Sequence, residues 1–373
     1  MASRATQFTI IGGGVVGLSV ALGLLQAGRR VTVLDGSDGD FRASQGNFGL
    51  VWLQGKGADF AAYAELTRDA VAAWPGFAAM LGELTGVDPA LDPCGGYEFF
   101  TDPAEFADFS AALERQRAHL GNRFSHEIID GDDLRRAHPR IGPDVVGATF
   151  CALDGHVNPL RLLRALRSAV VTLGGRIVTD AAVTDVATAG GGFALSLRDG
   201  RHLGADRIVL CAGLGSSPLA ERLGFATRVR PQRGELLITE KLGSRLPFLS
   251  STIRQVDEGG VQIGGTKADA GPDDRESLGQ MAGLARHAVR VLPALADVRV
   301  VRAWGALRVM TPDGYPVYAR SPRHSGACLV TCHSGITLAP LHAGILTAWI
   351  DDPSRAPGLE AFDEDRFALS EAA

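Results

Sequence analysis

The sequence predicts an α/β protein in two domains, and three observations carry that expectation. A short apolar run, Phe8-Thr9-Ile10-Ile11, leads at once into glycines, as a buried strand of a parallel sheet does before a helix. Residues 15–27 then read as a helix closed by Gly28, and residues 30–35 as a second strand, which completes one right-handed strand-helix-strand unit. Farther on, over 91–149 and 226–303, strands and turns set a different pattern, that of an α+β domain with a mixed or antiparallel sheet. The expected organisation is a Rossmann-like nucleotide domain built from the discontinuous segments 1–90, 150–225 and 304–373, with a substrate-binding domain from 91–149 and 226–303.

Taken in order, residues 58–86 carry a helical pattern, 95–100 a strand, and 103–120 a helix with Asp102 placed to cap it. An Arg-rich amphipathic helix is expected over 159–174, followed by strands at 176–178, 193–197 and 207–211. Strands at 234–239 and 260–264 come before one long helix over 274–291, and a strand at 327–331 precedes a helix from about Leu338. The Gly, Ser and Asp residues of 36–39 read as a surface turn.

With 373 residues, 46% of them hydrophobic, the chain can bury a core large enough for two domains, which favours an enzyme over a small binding module. The net charge of −5 arises from interspersed acids and bases without a basic arm, so a nucleic-acid partner is not expected. Five scattered cysteines, none in a Cys-x-x-Cys, argue against a disulfide framework, a zinc site or an iron-sulfur cluster in this chain, and point to the cytoplasm. The first residues run straight into the nucleotide motif rather than forming a cleaved signal, and no apolar stretch is long enough to span a bilayer.

Gly12-Gly13-Gly14-Val15-Val16-Gly17 satisfies G-x-G-x-x-G between a strand and a helix. The first glycine allows a tight turn, the second lets backbone approach a pyrophosphate, and the third lets helix pack on sheet, while the helix N-terminus attracts phosphate. Asp35 ends the second strand 18 residues after Gly17, where a carboxylate can accept hydrogen bonds from a ribose diol and repel a 2′-phosphate. The motif leaves NAD and FAD equally open.

Further segments resolve that choice through a resemblance. These are Ala43-Ser44-Gln45-Gly46-Asn47-Phe48-Gly49-Leu50-Val51, the strand at 208–213 ending Ala212-Gly213, and Trp304-Gly305-Ala306-Leu307-Arg308-Val309-Met310-Thr311-Pro312-Asp313-Gly314. The last is His333-Ser334-Gly335-Ile336-Thr337-Leu338-Ala339-Pro340. Together with the fingerprint they resemble the FAD-dependent oxidoreductases of the D-amino acid oxidase type, across nearly the whole chain. Residues 49–57 and 253–266 sharpen this toward the β subunits of opine oxidases and hydroxyproline dehydrogenases and the flavoprotein subunit of hydrogen cyanide synthase.

The resemblance implies noncovalent FAD, with Gly12, Gly14, Val15, Val16 and Gly17 around the pyrophosphate and Asp35 on the ribose. Ser44, Gln45, Asn47, Phe48, Gly49 and Leu50 would lie beside the flavin, Val183 on the adenine, and Ala212 and Gly213 near the pyrophosphate. The amides of Gly335, Ile336 and Thr337 would face the flavin pyrimidine edge, where a positive dipole stabilises reduced flavin. Arg308 resembles the arginine that grips the substrate carboxylate, and Trp52 and Arg254 are further candidates for the substrate side. The implied reaction is hydride transfer from an amino acid or secondary amine to flavin N5, giving an imine that hydrolyses. A D-amino acid, hydroxyproline or an opine would suit, with electrons passing on to partner subunits. No histidine is promoted to a catalytic role. A 2-hydroxy acid as substrate, or a noncatalytic flavoprotein subunit, stays open as an alternative.

Overall fold

The computed structural model describes residues 7–36, 43–356 and 358–370, so the turn expected at 36–39 falls, from residue 37 on, outside the described residues. β1 (Gln7–Ile11), α1 (Val15–Gln26) and β2 (Arg30–Leu34) form the opening unit, with β1 and β2 parallel. β3 (Leu50–Val51), α2 (Ala61–Thr85), β4 (Gly96–Phe100) and α3 (Pro103–Leu120) follow. Asp102 caps α3 as expected, its Oδ1 accepting from the N–H groups of Ala104 at 2.7 Å and Glu105 at 3.2 Å. Then come β5 (Glu127–Asp130), α4 (Gly131–Ala137), β6 (Gly147–Cys151), β7 (Gly155–His156) and α5 (Pro159–Thr172).

β8 (Arg176–Val178), β9 (Val183–Ala189), β10 (Gly192–Leu197), β11 (His202–Ala205), β12 (Arg207–Leu210) and α6 (Ser216–Arg222) bring the chain back beside β1. β13 (Arg230–Lys241), β14 (Ile253–Gln255), β15 (Gly260–Gly264), α7 (Leu278–Val291) and β16 (Val300–Met310) build the second region. The chain ends with β17 (Val317–Arg320), β18 (Ala327–Thr331), α8 (Ala339–Ala343), α9 (Ile345–Asp351) and α10 (Asp365–Ser370).

The main sheet has the order β17-β18-β12-β1-β2-β8 and is parallel except for β17. Alternation along its strands feeds two cores. Phe8, Ile10, Val33 and Val209 pack with α1, α2 and α5, while Ile11, Leu34, Ile208 and Leu210 pack on the antiparallel β9-β10-β11 layer and α6. The second region holds the antiparallel sheet β14-β15-β13-β16 and the small sheet β4-β6-β5, which share a third core with α7 through Phe99, Leu237, Ile263 and Leu284.

Three expectations change. Trp304–Met310, expected among the nucleotide segments, belong to β16, where Arg308 faces Gln232 of β13 across an antiparallel ladder. The helix expected from residue 274 starts at Leu278 because the buried carboxylate of Glu235 anchors its entry, accepting from Ser277 N–H at 2.9 Å and Ser277 Oγ at 3.1 Å. The final helix is broken at Gly344 into α8 and α9, with α1 packed against the break.

That last contact depends on Gly23, where a Cβ would fall 2.1 Å from the carbonyl oxygen of Ala343 and 2.4 Å from Thr347 Oγ1. Gly82, inside α2, has open space at the same position. Gly23→Ala should therefore lower stability by about 1–3 kcal/mol through overpacking. Gly82→Ala should raise it by about 0.5–1 kcal/mol through helix propensity, and urea unfolding of the two variants checks both signs.

Candidate active site

The turn after β1 is closed by backbone packing that leaves no room for side chains. A Cβ on Gly12 would fall 2.4 Å from the Cys211 carbonyl oxygen and 2.9 Å from Ala212 Cα. One on Gly17 would fall 2.0 Å from the Gly12 carbonyl oxygen, and one on Gly13 2.7 Å from the Asp35 carboxylate. Gly12 also holds φ at 116°, a conformation that glycine adopts without strain. Gly14 lies against Ser44, whose Oγ accepts from Val15 N–H at 3.1 Å, so the Ser44 loop reaches the start of α1.

Asp35 is buried and accepts from Arg167 Nη1 at 3.1 Å. Val183 opens β9 two residues beyond Ala181, whose N–H donates to the Asp35 carbonyl at 2.9 Å. Gly213 begins a short 3-10 turn after β12, with Val309 of β16 against it.

The carboxy-terminal loop ties the pieces together. Gly335 packs on Val16, with Val16 Cγ2 2.9 Å from where its Cβ would stand, and Ile336 is buried. Thr337 Oγ1 donates to the Leu50 carbonyl at 3.2 Å and accepts from Trp52 N–H at 3.3 Å. Asn47 turns back on its own loop, accepting from Gly49 N–H at 2.7 Å, and Phe48 packs on Gly264 beneath the Arg254 guanidinium. Gln45 is exposed. Of the two further substrate candidates, Trp52 buries its ring against Gly96, and Arg254 is buried with Nη1 donating to His156 Nδ1 at 3.0 Å.

These residues fit FAD. A turn stripped of side chains, the amides of the first turn of α1 and a buried acid at the end of β2 would suit a pyrophosphate and its ribose as a cradle. Gly12, Gly14, Val15, Val16, Gly17, Asp35, Ser44, Ala212 and Gly335 lie in one contiguous set of contacts, and Thr337 joins it to Leu50.

Arg308, expected on the substrate side, is half-buried and among the described residues donates to carbonyls, from Nη1 to Thr266 at 2.6 Å and to Arg233 at 3.4 Å. Lys56 donates to Ser334 Oγ at 3.5 Å, and Ser334 Oγ also shares a 2.8 Å hydrogen bond with Tyr63. Neither cation has a carboxylate within ion-pair distance among the described residues. Burial lowers the pKa of both, and Asp154 and Glu98 oppose the shift at Lys56. His333 is pushed down to about 3, first by burial and then by Lys56, Arg308 and Lys267. Burial pushes Glu98 up to about 7 against a hydrogen bond from Ser251 and the charges of Lys267 and Lys56.

Sequence reasoning assigned no role to Lys56, Lys267 or Glu98. A signal existed in two places: Lys56 stands between Gly55 and Gly57, both at positive φ, and Glu98 is the one charge in the strand Gly-Tyr-Glu-Phe-Phe.

Asp92, Cys94 and His156 are the one group of three such ligands among the described residues whose atoms come within 4.8 Å of one another. Arginines engage two of them, Arg245 in an ion pair with Asp92 and Arg254 in a hydrogen bond to His156 Nδ1.

A parallel sheet whose first turn and second strand form this cradle, overlaid by an antiparallel sheet that carries Arg308, defines a dinucleotide-binding oxidoreductase. Residues 7–349 match the model of the family described as FAD dependent oxidoreductase, and the chain belongs to that family. It is an enzyme, and its cofactor is FAD. The chain is similar to an opine oxidase subunit of Agrobacterium tumefaciens (strain Ach5), 39% identical over 98% of this chain and 99% of that one. It is similar also to the corresponding opine oxidase subunit of Rhizobium meliloti, 37% identical over the same shares. The crystal structure of glycine oxidase from Bacillus cereus ATCC 14579 superposes with a TM-score of 0.85 at 23% identity, covering 95% of this chain and 98% of that one. No helix among the described residues is long and apolar enough to cross a membrane.

Two outcomes test this geometry. Asp35→Ala should weaken FAD binding by about 10- to 100-fold, the loss of charge-assisted hydrogen bonds to the ribose, read by flavin fluorescence on titrating the apoprotein. Glu98 titrates higher in the folded chain than unfolded, so its contribution to stability is complete below about pH 4 and lost as pH rises through about 7. The fall in melting temperature between pH 5 and pH 8 should therefore be smaller in Glu98→Gln than in the wild-type chain.

Proposed function

We propose that this enzyme oxidises the C–N bond of a small amino acid or secondary amine, and that the favoured substrate is an opine, a secondary amine with a carboxylate on each arm. The observation that carries the reading is Arg308, a half-buried guanidinium without a carboxylate partner among the described residues, set on β16. The extent and identity of the match to the two opine oxidase subunits support the substrate class over a D-amino acid or hydroxyproline.

FAD, when bound, supplies the hydride acceptor at N5. Arg308 would hold one substrate carboxylate through a two-pronged charge-assisted contact and so aim the Cα–H. Lys56 and Tyr63 hold Ser334, which keeps the Gly335–Thr337 backbone against α1 and β3. Glu98, titrating at about 7, can accept the proton that a protonated amine loses before its hydride leaves. The imine released is hydrolysed by water. Cys332 is buried and its thiol is pushed up to about 12 by that burial, which suits noncovalent FAD. That the two relatives are each named as one subunit of an oxidase supports an electron-accepting partner subunit.

Glu98 also favours a second reading, since a 2-hydroxy acid would need a base and Arg308 would grip its carboxylate equally well. Anaerobic absorbance of the FAD-loaded chain separates the two. Opines or other amines should bleach the oxidised-flavin bands, whereas bleaching by 2-hydroxy acids alone would overturn the amine assignment. Arg308→Met should lower kcat/KM by about 30-fold or more, as the loss of a buried charge pair of about 2–5 kcal/mol requires.

A further inference from the structure

Lys56 is held by more buried polar structure than a solvent-facing lysine needs. Asp154, fully buried, accepts from Leu53 N–H at 2.5 Å and from Gln54 Nε2 at 2.7 Å. Gln54 in turn receives Thr149 Oγ1 at 2.6 Å and donates to the Gly96 carbonyl at 3.0 Å. Gln116, also fully buried, donates to the carbonyls of Leu53 and Lys56, each at 2.8 Å, and accepts from Gly55 N–H at 2.9 Å. Segment 53–56 is thus fixed residue by residue, and among the described residues the ammonium it presents has one long hydrogen bond, to Ser334, for its three donors.

Around that ammonium the charges do not balance. Arg308 lies close enough to lower the Lys56 pKa, and Lys56, Arg308 and Lys267 all act on His333. Lys267 directly follows Thr266, whose carbonyl receives Arg308. The carboxyls that face Lys56 are Asp154, committed to Leu53 and Gln54, and Glu98, bonded to Ser251. Burial pushes both up to about 7, so near neutrality neither is a full counter-charge. One ligand carboxylate on Arg308 would leave Lys56 unpaired, and an unpaired partly buried cation is unfavourable, while Lys267 reaches in from an exposed position.

We propose that Lys56, assisted by Lys267, is a second carboxylate-binding site that pairs with Arg308 and selects substrates carrying a carboxylate on both arms of the amine. The proposal rests on the amine-oxidation reading above and adds to it the residues that choose between dicarboxylate and monocarboxylate amines.

The test uses the FAD-loaded chain and two unreactive thioethers, thiodiacetate with two carboxylates and methylthioacetate with one, titrated against the visible flavin spectrum. The wild-type chain should bind thiodiacetate at least about 10-fold more tightly. Lys56→Met should erase most of that preference while leaving methylthioacetate within about twofold, Lys56→Arg should restore part of it, and Lys267→Met should give a smaller loss of the same kind. Equal affinity of the wild-type chain for both thioethers overturns the proposal. So does equal weakening of both ligands in Lys56→Met, since that is the signature of a lysine that only positions the Ser334 loop. Anaerobic titration with iminodiacetate and with sarcosine runs in parallel. Failure of every amine to bleach the flavin would overturn the amine reading, whereas the thioether contrast reports on the lysines alone.

Discussion

Between the turn after β1 and the end of β12, two backbones meet with no side chain between them, and the placement of every other part of the site follows from that approach. Gly12 lies on Cys211 and Ala212, Gly17 on Gly12, and Gly13 on the Asp35 carboxylate. Because none of these positions has room for a Cβ, the first turn of α1 sits directly on the carboxyl end of the parallel sheet. Its amide dipoles then point to the place where β1 parts from β2 on one side and β12 on the other, the usual ligand crevice of such sheets.

The carboxy-terminal loop carries this geometry across toward the antiparallel sheet that holds Arg308. Gly335 rests on Val16, Thr337 is hydrogen-bonded to the β3 segment, and Ser334 meets Tyr63 and Lys56. A single short stretch therefore touches the nucleotide turn, the loop that follows Ser44 and the cationic group around Arg308. The antiparallel sheet contributes Arg308 from β16, held by carbonyls of Thr266 and Arg233 rather than by an acid. A guanidinium oriented by neutral acceptors keeps its charge available to a ligand, and the cost of leaving it unpaired is borne by the surrounding fold.

That cost explains the polar core beneath the site. Asp154, Gln54, Gln116 and Thr149 are buried and hydrogen-bonded to one another or to the backbone of segment 53–56, and a network of this kind is tolerated only when its members find partners. It rigidifies that segment and allows Lys56 to stand near another cation instead of swinging away to solvent.

The sequence by itself determined the nucleotide unit and most of the elements, since strand and helix periods, glycine spacing and caps such as Asp102 are local properties. It also marked Asp35 and Arg308, each embedded in a recognisable run of neighbours. Only the tertiary structure decided the sheet to which Trp304–Met310 belongs, because strand pairing is a contact between distant segments and the register of β16 on β13 leaves no local trace. The same holds for the start of α7, set by Glu235 from 42 residues away, and for the gathering of Lys56, Lys267, His333 and Glu98 around Arg308. Charge in a sequence is visible residue by residue, but whether two cations share one buried site depends on distance and solvent exclusion, and those exist only once the chain has folded.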